Sequence, residues 1–416
     1  MLATTLRSAA LAAALLPALA AAEPLSFDQA LSLAVQRSEA ARAGRAAAQS
    51  AGESSRAAGQ LPDPTLSAGI DNLPVTGGDG FSTTRDSMTM KRIGISQEWV
   101  PADKRAARAA VASAIAEREA IQSRIAESDA RLQVTLTYLD AWYANAALGL
   151  TAQSEHHLHE ELEAARGRLA AAAGGSADVL ELTSAKGMAE DDSEEARQQQ
   201  ATAFVALQRW VGFKPDAVTS VPVFNVPSEQ DFVARSPEVA GLQRDVDVAR
   251  QNAAVAANER TPNWTWQVSY GQRTGYSDLV SVGVSIPLPI APARRQDRET
   301  ASKLALVDKA EADLAEATRV ATADYLTLTG DAQRLQRRID RYRTAVITPA
   351  QQRTEAALAA YRSNQGPLTA LFEARHMEVE AQRKLLTLQR DLDKAQAQLA
   401  FKPLAATTAI HQGGAQ

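Results

Sequence analysis

The hydrophobic pattern of this chain occurs twice, and this internal repeat limits the architecture more than any other feature. Pro62–Leu66 lines up with Pro262–Trp266, and Ile93–Ser96 lines up with Val282–Ser285. In both halves these segments follow one helical stretch and precede a longer one, whose first turns carry basic residues. The order helix, strand pair, long helix, shorter helix is therefore predicted for each half of the chain.

The long helical segments carry apolar residues at intervals of seven, which is typical of helices that supercoil side by side. Residues 102–172 include no proline, so we expect one uninterrupted helix there. Single helices are also expected over 28–59 and 178–212, and the proline-dotted residues 213–236 are predicted to form an irregular linker. The heptad positions are Ile125, Leu132 and Leu139; Leu136, Tyr143 and Leu150; and Leu314, Ala321, Leu328, Leu335 and Tyr342.

The strand pairs alternate between apolar residues and small polar ones. The clearest case has Trp264, Trp266, Val268 and Tyr270 followed by Val280, Val282, Val284 and Ile286. Such alternation is typical of membrane β-barrel strands, although a soluble hairpin shows it too. Known barrels start at about eight strands, so four strands indicate that several copies share one barrel. The predicted fold class is mainly α, with long coiled-coil helices and a four-strand contribution to a membrane β-barrel.

The N-terminal sequence, the cysteine content and the net charge limit the cellular compartment and the kinds of partner that are expected. Residues 1–22 resemble a signal peptide, with Arg7 before an apolar stretch and small residues up to Ala22. The chain has no cysteine, which excludes disulfides and thiolate chemistry. Its net charge of −5 argues against a nucleic-acid partner.

These patterns divide the chain into nine predicted segments. They are the signal peptide 1–22, a short helix 23–60, a barrel hairpin 61–100, a long helix with tip turn and short helix 101–212, a linker 213–236, a short helix 237–260, a barrel hairpin 261–291, a long helix with tip turn and short helix 292–402, and a tail 403–416.

Two further motifs resemble the tips of the TolC-like outer-membrane efflux family. Arg168–Val179 looks like its first helix–turn–helix tip, and Tyr361–Ala374 looks like its second. The resemblance implies a homotrimer with a twelve-stranded barrel in outer-membrane lipid and a helical tunnel in the periplasm. It also implies two partners, a periplasmic adaptor (membrane fusion protein) and an inner-membrane pump of the RND type. Phrases similar to the heavy-metal cation branch are Leu61–Pro64, Asn72–Val75, Met88–Met90 and Ser277–Pro289.

The same resemblance assigns site residues. Adaptor docking is expected at the tips, through Arg168, Leu169, Gly174, Gly175, Gly366, Pro367 and Leu368. Glu373 is expected to form a carboxylate ring that gates the pore, and Asp178 with Tyr361 a latch, although Asp178 could instead cap its helix. The family often has glycine where this chain has Ala172 and Asn364, and we expect Gly174, Gly175 and Gly366 to meet the turn geometry instead.

No catalytic constellation or cofactor site stands out, so an enzyme is not expected. His156 and His159 lie three residues apart, a spacing that can bind zinc, but a solvated polar helix face is the simpler interpretation. The preferred function is passive export through an outer-membrane channel of a tripartite system. The alternatives are a periplasmic coiled-coil adaptor or scaffold, and an efflux duct for organic drugs.

Overall fold

The computed structural model describes residues 24–172, 174–363 and 365–405. The predicted signal peptide and residues 406–416 of the predicted tail lie outside this range. The helices are α1 Phe27–Arg37, α2 Glu39–Ala57, α3 Ala102–Ala170, α4 Ser176–Val211, α5 Glu229–Ala234, α6 Pro237–Asn258, α7 Gln296–Tyr342, α8 Thr348–Arg362 and α9 Leu368–Phe401. The strands are β1 Thr65–Asp71, β2 Met90–Trp99, β3 Trp264–Gln272 and β4 Leu279–Ser285. None of the described helices combines the length and the apolar character that crossing a membrane requires.

The four strands form one antiparallel sheet in the order β1-β2-β3-β4, so β1 and β4 are its edges. Paired residues of an antiparallel sheet share a face. Val268 pairs with Ile95 and with Val282, and Ile95 pairs with Leu66. The predicted alternation therefore continues in register across all four strands and gives the sheet one largely apolar face. That face is open to solvent in the single chain, with Leu66 71% and Val282 74% exposed.

The opposite face of the sheet carries a row of small residues. Ser67, Gly94, Ser269 and Ser281 lie side by side on the four strands. A side chain at Gly94 would place its Cβ 2.8 Å from the Cβ of Ser269, so only glycine fits this row there. The strands can therefore pack closely along this row.

The long helices follow from proline-free, alanine-rich sequence. Helix α3 has 69 residues, which corresponds to roughly 100 Å at the usual rise per residue. Helix α7 has 47 residues and continues through a π-helical segment, Arg343–Ile347, into α8. Pro349 accounts for that segment, because a proline has no backbone N–H to donate to the preceding turn.

Two predictions about the shorter helices were wrong. The helix expected over 28–59 is broken at Ser38, whose side chain accepts a hydrogen bond from the Ala41 amide at 3.1 Å and starts α2 as its N-cap. The linker 213–236 includes a short helix, α5, capped by Ser228, whose hydroxyl accepts from the Asp231 amide at 3.2 Å. In both places a serine hydroxyl accepts a hydrogen bond from a backbone amide in the first turn of the helix that follows.

The chain divides into two compact units. The first comprises the described parts of 1–37, 133–223 and 335–394, and the second those of 38–132, 224–334 and 395–416. In the first unit, α1 packs on α3 and α4 around Tyr138, whose hydroxyl donates to the Leu25 carbonyl at 3.1 Å. In the second unit, α2 packs so closely on α3 that a Cβ on Gly44 would lie 2.9 Å from the Cα of Ser123.

Candidate functional site

The two helix–turn–helix tips lie in the first unit and share one apolar core. The end of α3, the start of α4, the end of α8 and the start of α9 all contribute to it. Burial of a leucine side chain stabilises a fold by about 1.5–3 kcal/mol, so this core holds the four helix ends together. Its buried members are Leu162, Ala165, Leu182, Leu368, Leu371 and Phe372, with Leu158, Val179, Ala357, Leu358 and Tyr361 at its edge.

The first turn uses an alanine where glycine was expected to be needed. Ala172 has φ +55°, in the left-handed region, and its amide donates to the Leu169 carbonyl at 3.0 Å. Gly175 has φ −88° and is the residue before α4, and Gly174 is not left-handed either. The expectation that Gly174 and Gly175 supply the turn conformation is therefore wrong. The chain instead accepts the steric cost of a left-handed alanine.

Gly174 and Gly366 lie where a side chain would crowd the neighbouring residues. A Cβ on Gly174 would lie 3.1 Å from the Cβ of Arg168, and one on Gly366 would lie 3.0 Å from the Cβ of Ala360. In each tip the glycine thus touches the residue six positions earlier, so the two turns are built alike. Gly175 has no such contact, since the nearest atoms to an added Cβ are 3.9 Å and 4.0 Å away.

The tips also meet through a cation–π contact. The Arg168 guanidinium lies 4.9 Å from the centre of the Tyr361 ring. The Tyr361 hydroxyl is buried and has no hydrogen-bond partner among the described residues. A buried unpaired hydroxyl costs about 1–3 kcal/mol, so Tyr361 retains an unused donor beside the first tip.

Asp178, the proposed partner of Tyr361, lies in the first turn of α4. A carboxylate at this place is stabilised by the helix dipole. In the described part of the chain its side chain makes neither a bond to Tyr361 nor a capping bond to a backbone amide. The latch between Asp178 and Tyr361 remains a prediction about a different state of the tip.

Glu373, the predicted gate residue, leaves 72% of its side chain exposed and lies 3.9 Å from the Arg353 guanidinium. It lines a cavity of about 440 Å³ between the helices of this unit, together with Met188, His157, His376 and Phe372. The carboxylate is therefore open to solvent, with the Arg353 guanidinium beside it. Its place in a ring of several copies is a prediction that a single chain does not test.

Two histidines of the tip region, His156 and His157, lie beside the same glutamate. His156 lies 3.3 Å and His157 3.7 Å from Glu160. Within residues 24–172, 174–363 and 365–405, no three histidine, aspartate or glutamate side chains are grouped as a metal site requires. Nearby, Glu161 and Arg375 form a half-buried ion pair, and burial lowers the pKa of the Arg375 guanidinium.

Sequence reasoning missed a buried polar pair further along the same helices. The Tyr143 hydroxyl donates to the Asp393 carboxylate, and burial raises the pKa of both groups. The neighbouring Lys394 ammonium lies 2.6 Å from Asp140. The only signal in the sequence was a tyrosine at a heptad position, where an aliphatic side chain would pack without needing a partner.

Comparison with solved structures identifies the fold. The alignment with the outer membrane protein VceC from Vibrio cholerae covers 91% of this chain and 96% of the VceC chain, with a TM-score of 0.73 and 17% sequence identity. A membrane protein from Pseudomonas aeruginosa covers 92% of both chains, with a TM-score of 0.75 and 16% identity. The alignment with the open-state MtrE outer membrane channel of Neisseria gonorrhoeae covers 90% of this chain and 88% of the MtrE chain, with a TM-score of 0.76 and 15% sequence identity.

These likenesses extend over nearly the whole chain and define its class by fold. The chain has the fold of outer-membrane channel subunits, with long helices and a few strands per protomer, as the sequence predicted. The structures it resembles are described as membrane proteins and channels rather than enzymes, in agreement with the expectation of no catalytic site. No protein-family model matches the chain, and no curated protein sequence does.

Proposed function

We propose that the chain is one subunit of a trimeric outer-membrane export channel that carries heavy-metal cations out of the periplasm. One observation carries the proposal. The four-stranded sheet has an apolar face that is largely open to solvent and two unpaired edges. Lipid accounts for the apolar face, and pairing with further copies accounts for the edges, because no backbone group facing lipid can be left unpaired.

The helical tips support the partners in this proposal. Gly175 is exposed, and the turns at Gly175 and Gly366 together offer a surface that a periplasmic adaptor can engage. An inner-membrane pump of the RND type would supply the energy for export. The structures with the same fold are outer-membrane channels, which supports location in the outer membrane.

Heavy-metal export is supported by the strand phrases and by the solvent-exposed carboxylate of Glu373. A ring of carboxylates at a constriction attracts cations, whereas a tight metal site would hold its ion and work against release. The absence of a grouped metal site in the described residues is compatible with a duct that conducts ions without retaining them.

Deletion of the gene tests the function. We expect sensitivity to one or a few of cobalt, zinc, cadmium, copper and silver, restored by the intact gene. Sensitivity to organic drugs alone would exclude the metal cargo and leave the channel in place. Recovery of the protein in the soluble periplasmic fraction would favour the adaptor or scaffold alternative and reject the channel.

A further inference from the structure

The joint between the two halves of one chain is a template for the joint between two copies. The two hairpins have the same register, because Thr65 pairs with Ser96 and their repeat counterparts, Thr265 and Ser285, also pair. Counterparts are thus 200 residues apart for β1 and β3, and 189 for β2 and β4. Within the chain, β2 of the first half joins β3 of the second. The equivalent joint between copies brings β4 of one copy to β1 of the next.

The repeat extends into the helices. Pro101 and Pro292, which follow the second strand of each hairpin, are 191 residues apart, and the buried Ala130 of α3 and Ala321 of α7 have the same spacing. The equivalent tip glycines, Gly174 and Gly366, are 192 residues apart. The π-helical segment Arg343–Ile347 lies between Ala321 and Gly366, and it accounts for the one additional residue in the spacing of 192. A spacing of 191 therefore applies to the start of the long helices, where Lys104 corresponds to Arg295.

Lys104 carries a buried positive charge at the joint between the two halves of the chain. It is only 3% exposed, and its ammonium lies 2.8 Å from the Glu259 carboxylate and 3.2 Å from the Asn263 side-chain oxygen. A buried ammonium requires such partners, because the loss of hydration would otherwise be uncompensated. The charge is thus neutralised by the end of α6 and the start of β3.

The counterparts of this trio lie near the two edges of the sheet. Arg295 corresponds to Lys104, Asp63 to Asn263 and Gly59 to Glu259. Arg295 and Asp63 are exposed, and neither has an ion-pair partner in the described ranges. The carboxylate that Glu259 supplies within the chain is missing at Gly59, and Asp63 supplies one four residues later.

We propose that β4 of one copy pairs with β1 of the next so that Ser285 lies opposite Ser67, and that Arg295 forms an ion pair with Asp63 across this joint. This inference rests on the proposed trimer and specifies how its subunits meet. The template pair is Ser96 with Gln267 in the joint within the chain. The same register places Val284 opposite Ala68, so the apolar and the polar faces both continue from copy to copy.

Sequence pattern supports this register over its neighbours. A slip by one residue would turn the apolar side chains of β1 to the polar face of β4, which is disfavoured when one face meets lipid. A slip by two residues keeps the faces but separates Arg295 from Asp63 by an additional 7 Å or so. Register and ion pair are therefore coupled and can be tested separately.

Disulfide crosslinking tests the register, and the chain has no native cysteine to interfere. Directly opposed residues of antiparallel strands are about 4.5–5.5 Å apart. Ser67→Cys with Ser285→Cys, and Ala68→Cys with Val284→Cys, sample both kinds of opposed pair, and at least one should give a covalent trimer after oxidation. The matched control, Ser67→Cys with Ser281→Cys, is four residues out of register and should remain uncrosslinked.

Charge reversal tests the ion pair. Arg295→Gln or Asp63→Asn should lower the temperature at which the trimer dissociates by about 1 °C, and the exchange Arg295→Asp with Asp63→Arg should recover most of this loss. Arg294→Gln, at an adjacent exposed arginine without a partner, should have no effect. Equal effects of Arg294→Gln and Arg295→Gln, or no recovery on exchange, would overturn the pair.

Native mass spectrometry separates the two levels of failure. A trimer that crosslinks only through Ser281, or through neither designed pair, would overturn the register and leave the proposed channel intact. A monomer with native strand content would overturn the register and the proposed trimer together. Circular dichroism of each variant identifies any loss of signal that is due to misfolding alone.

Discussion

Ala172 holds a left-handed backbone conformation at the turn between α3 and α4. An L-residue pays about 1–2 kcal/mol for this conformation, whereas glycine adopts it freely but loses more chain entropy on folding. We therefore expect Ala172→Gly to stabilise the protein by about 0.5–1 kcal/mol, measured by thermal or denaturant unfolding in detergent. Ala171→Gly, at a neighbour without positive φ, should instead destabilise it.

The buried Tyr361 hydroxyl has no hydrogen-bond partner among the described residues, so the effects of Tyr361→Phe on stability and on the gate can be measured separately. Loss of an unpaired buried hydroxyl should leave the fold at least as stable. Loss of a latch to Asp178 should raise single-channel conductance and make cells sensitive to large antibiotics. If Asp178 only stabilises its helix, Asp178→Ala alone should lower stability and conductance should not change. Unchanged conductance in the double variant Tyr361→Phe, Asp178→Asn would reject the latch.

Asp393 should make stability depend on pH. Burial raises its pKa above 3.8, so the folded state binds a proton more readily than the unfolded chain. The stability that this carboxyl contributes is therefore present below pH 3.8 and is lost as the pH rises through the raised pKa. Asp393→Asn keeps an acceptor for Tyr143, so we expect a higher melting temperature than the native protein at pH 7 and none of this difference near pH 3.

The matched control for this prediction is Asp391→Asn. Asp391 leaves 43% of its side chain exposed and pairs with Arg390, so its replacement should alter stability little at either pH. A melting temperature of Asp393→Asn that stays below the native value at pH 7 would show that the carboxylate is stabilising there, contrary to the prediction.

At the scale of the elements, the structure separates two glycines that look alike in the sequence. Gly366 is packed against Ala360, so a side chain there would disturb the turn itself. A Cβ on Gly175 would make only ordinary van der Waals contacts, so this position offers a test of docking alone. We expect Gly175→Glu to abolish export and adaptor capture without changing the melting temperature, the trimer or membrane insertion.

Gly187 provides the control for this substitution. It lies within α4, exposed and with no atom within 4 Å of an added Cβ, so Gly187→Glu introduces the same charge away from the turn. Export should survive Gly187→Glu. Loss of membrane insertion in Gly175→Glu would instead show that the turn serves folding rather than docking.

For the whole molecule, the open edges of the sheet predict association. Chemical crosslinking of the detergent-purified protein should give a ladder of bands that ends at three, because β1 and β4 each present unpaired backbone groups. The expected number follows from the family resemblance, since the sheet requires further strands without fixing how many. A ladder that ends at a different number would reject the trimer, and a monodisperse monomer with intact strands would reject the shared barrel.

The sequence alone determined the elements whose patterns repeat over many residues. Heptads predicted the long helices α3 and α7, and alternation together with the internal repeat predicted the four strands and both faces of the sheet. Such periodic patterns are reliable because each residue adds to the same preference. A break at a single residue has no such support, and Ser38 and the short helix α5 were accordingly missed.

Only the tertiary structure decided which polar groups are buried together. Lys104 and Glu259, and Tyr143 and Asp393, are more than 150 residues apart in sequence, so no local pattern could pair them. The left-handed Ala172 likewise depends on the packing of the two helices that it joins, which outweighs its local preference. The sequence by itself thus determined the periodic elements and the two-faced sheet, because those preferences are local and additive. The polar contacts within the helical units and the geometry of the tips required the fold, because they depend on which distant segments meet.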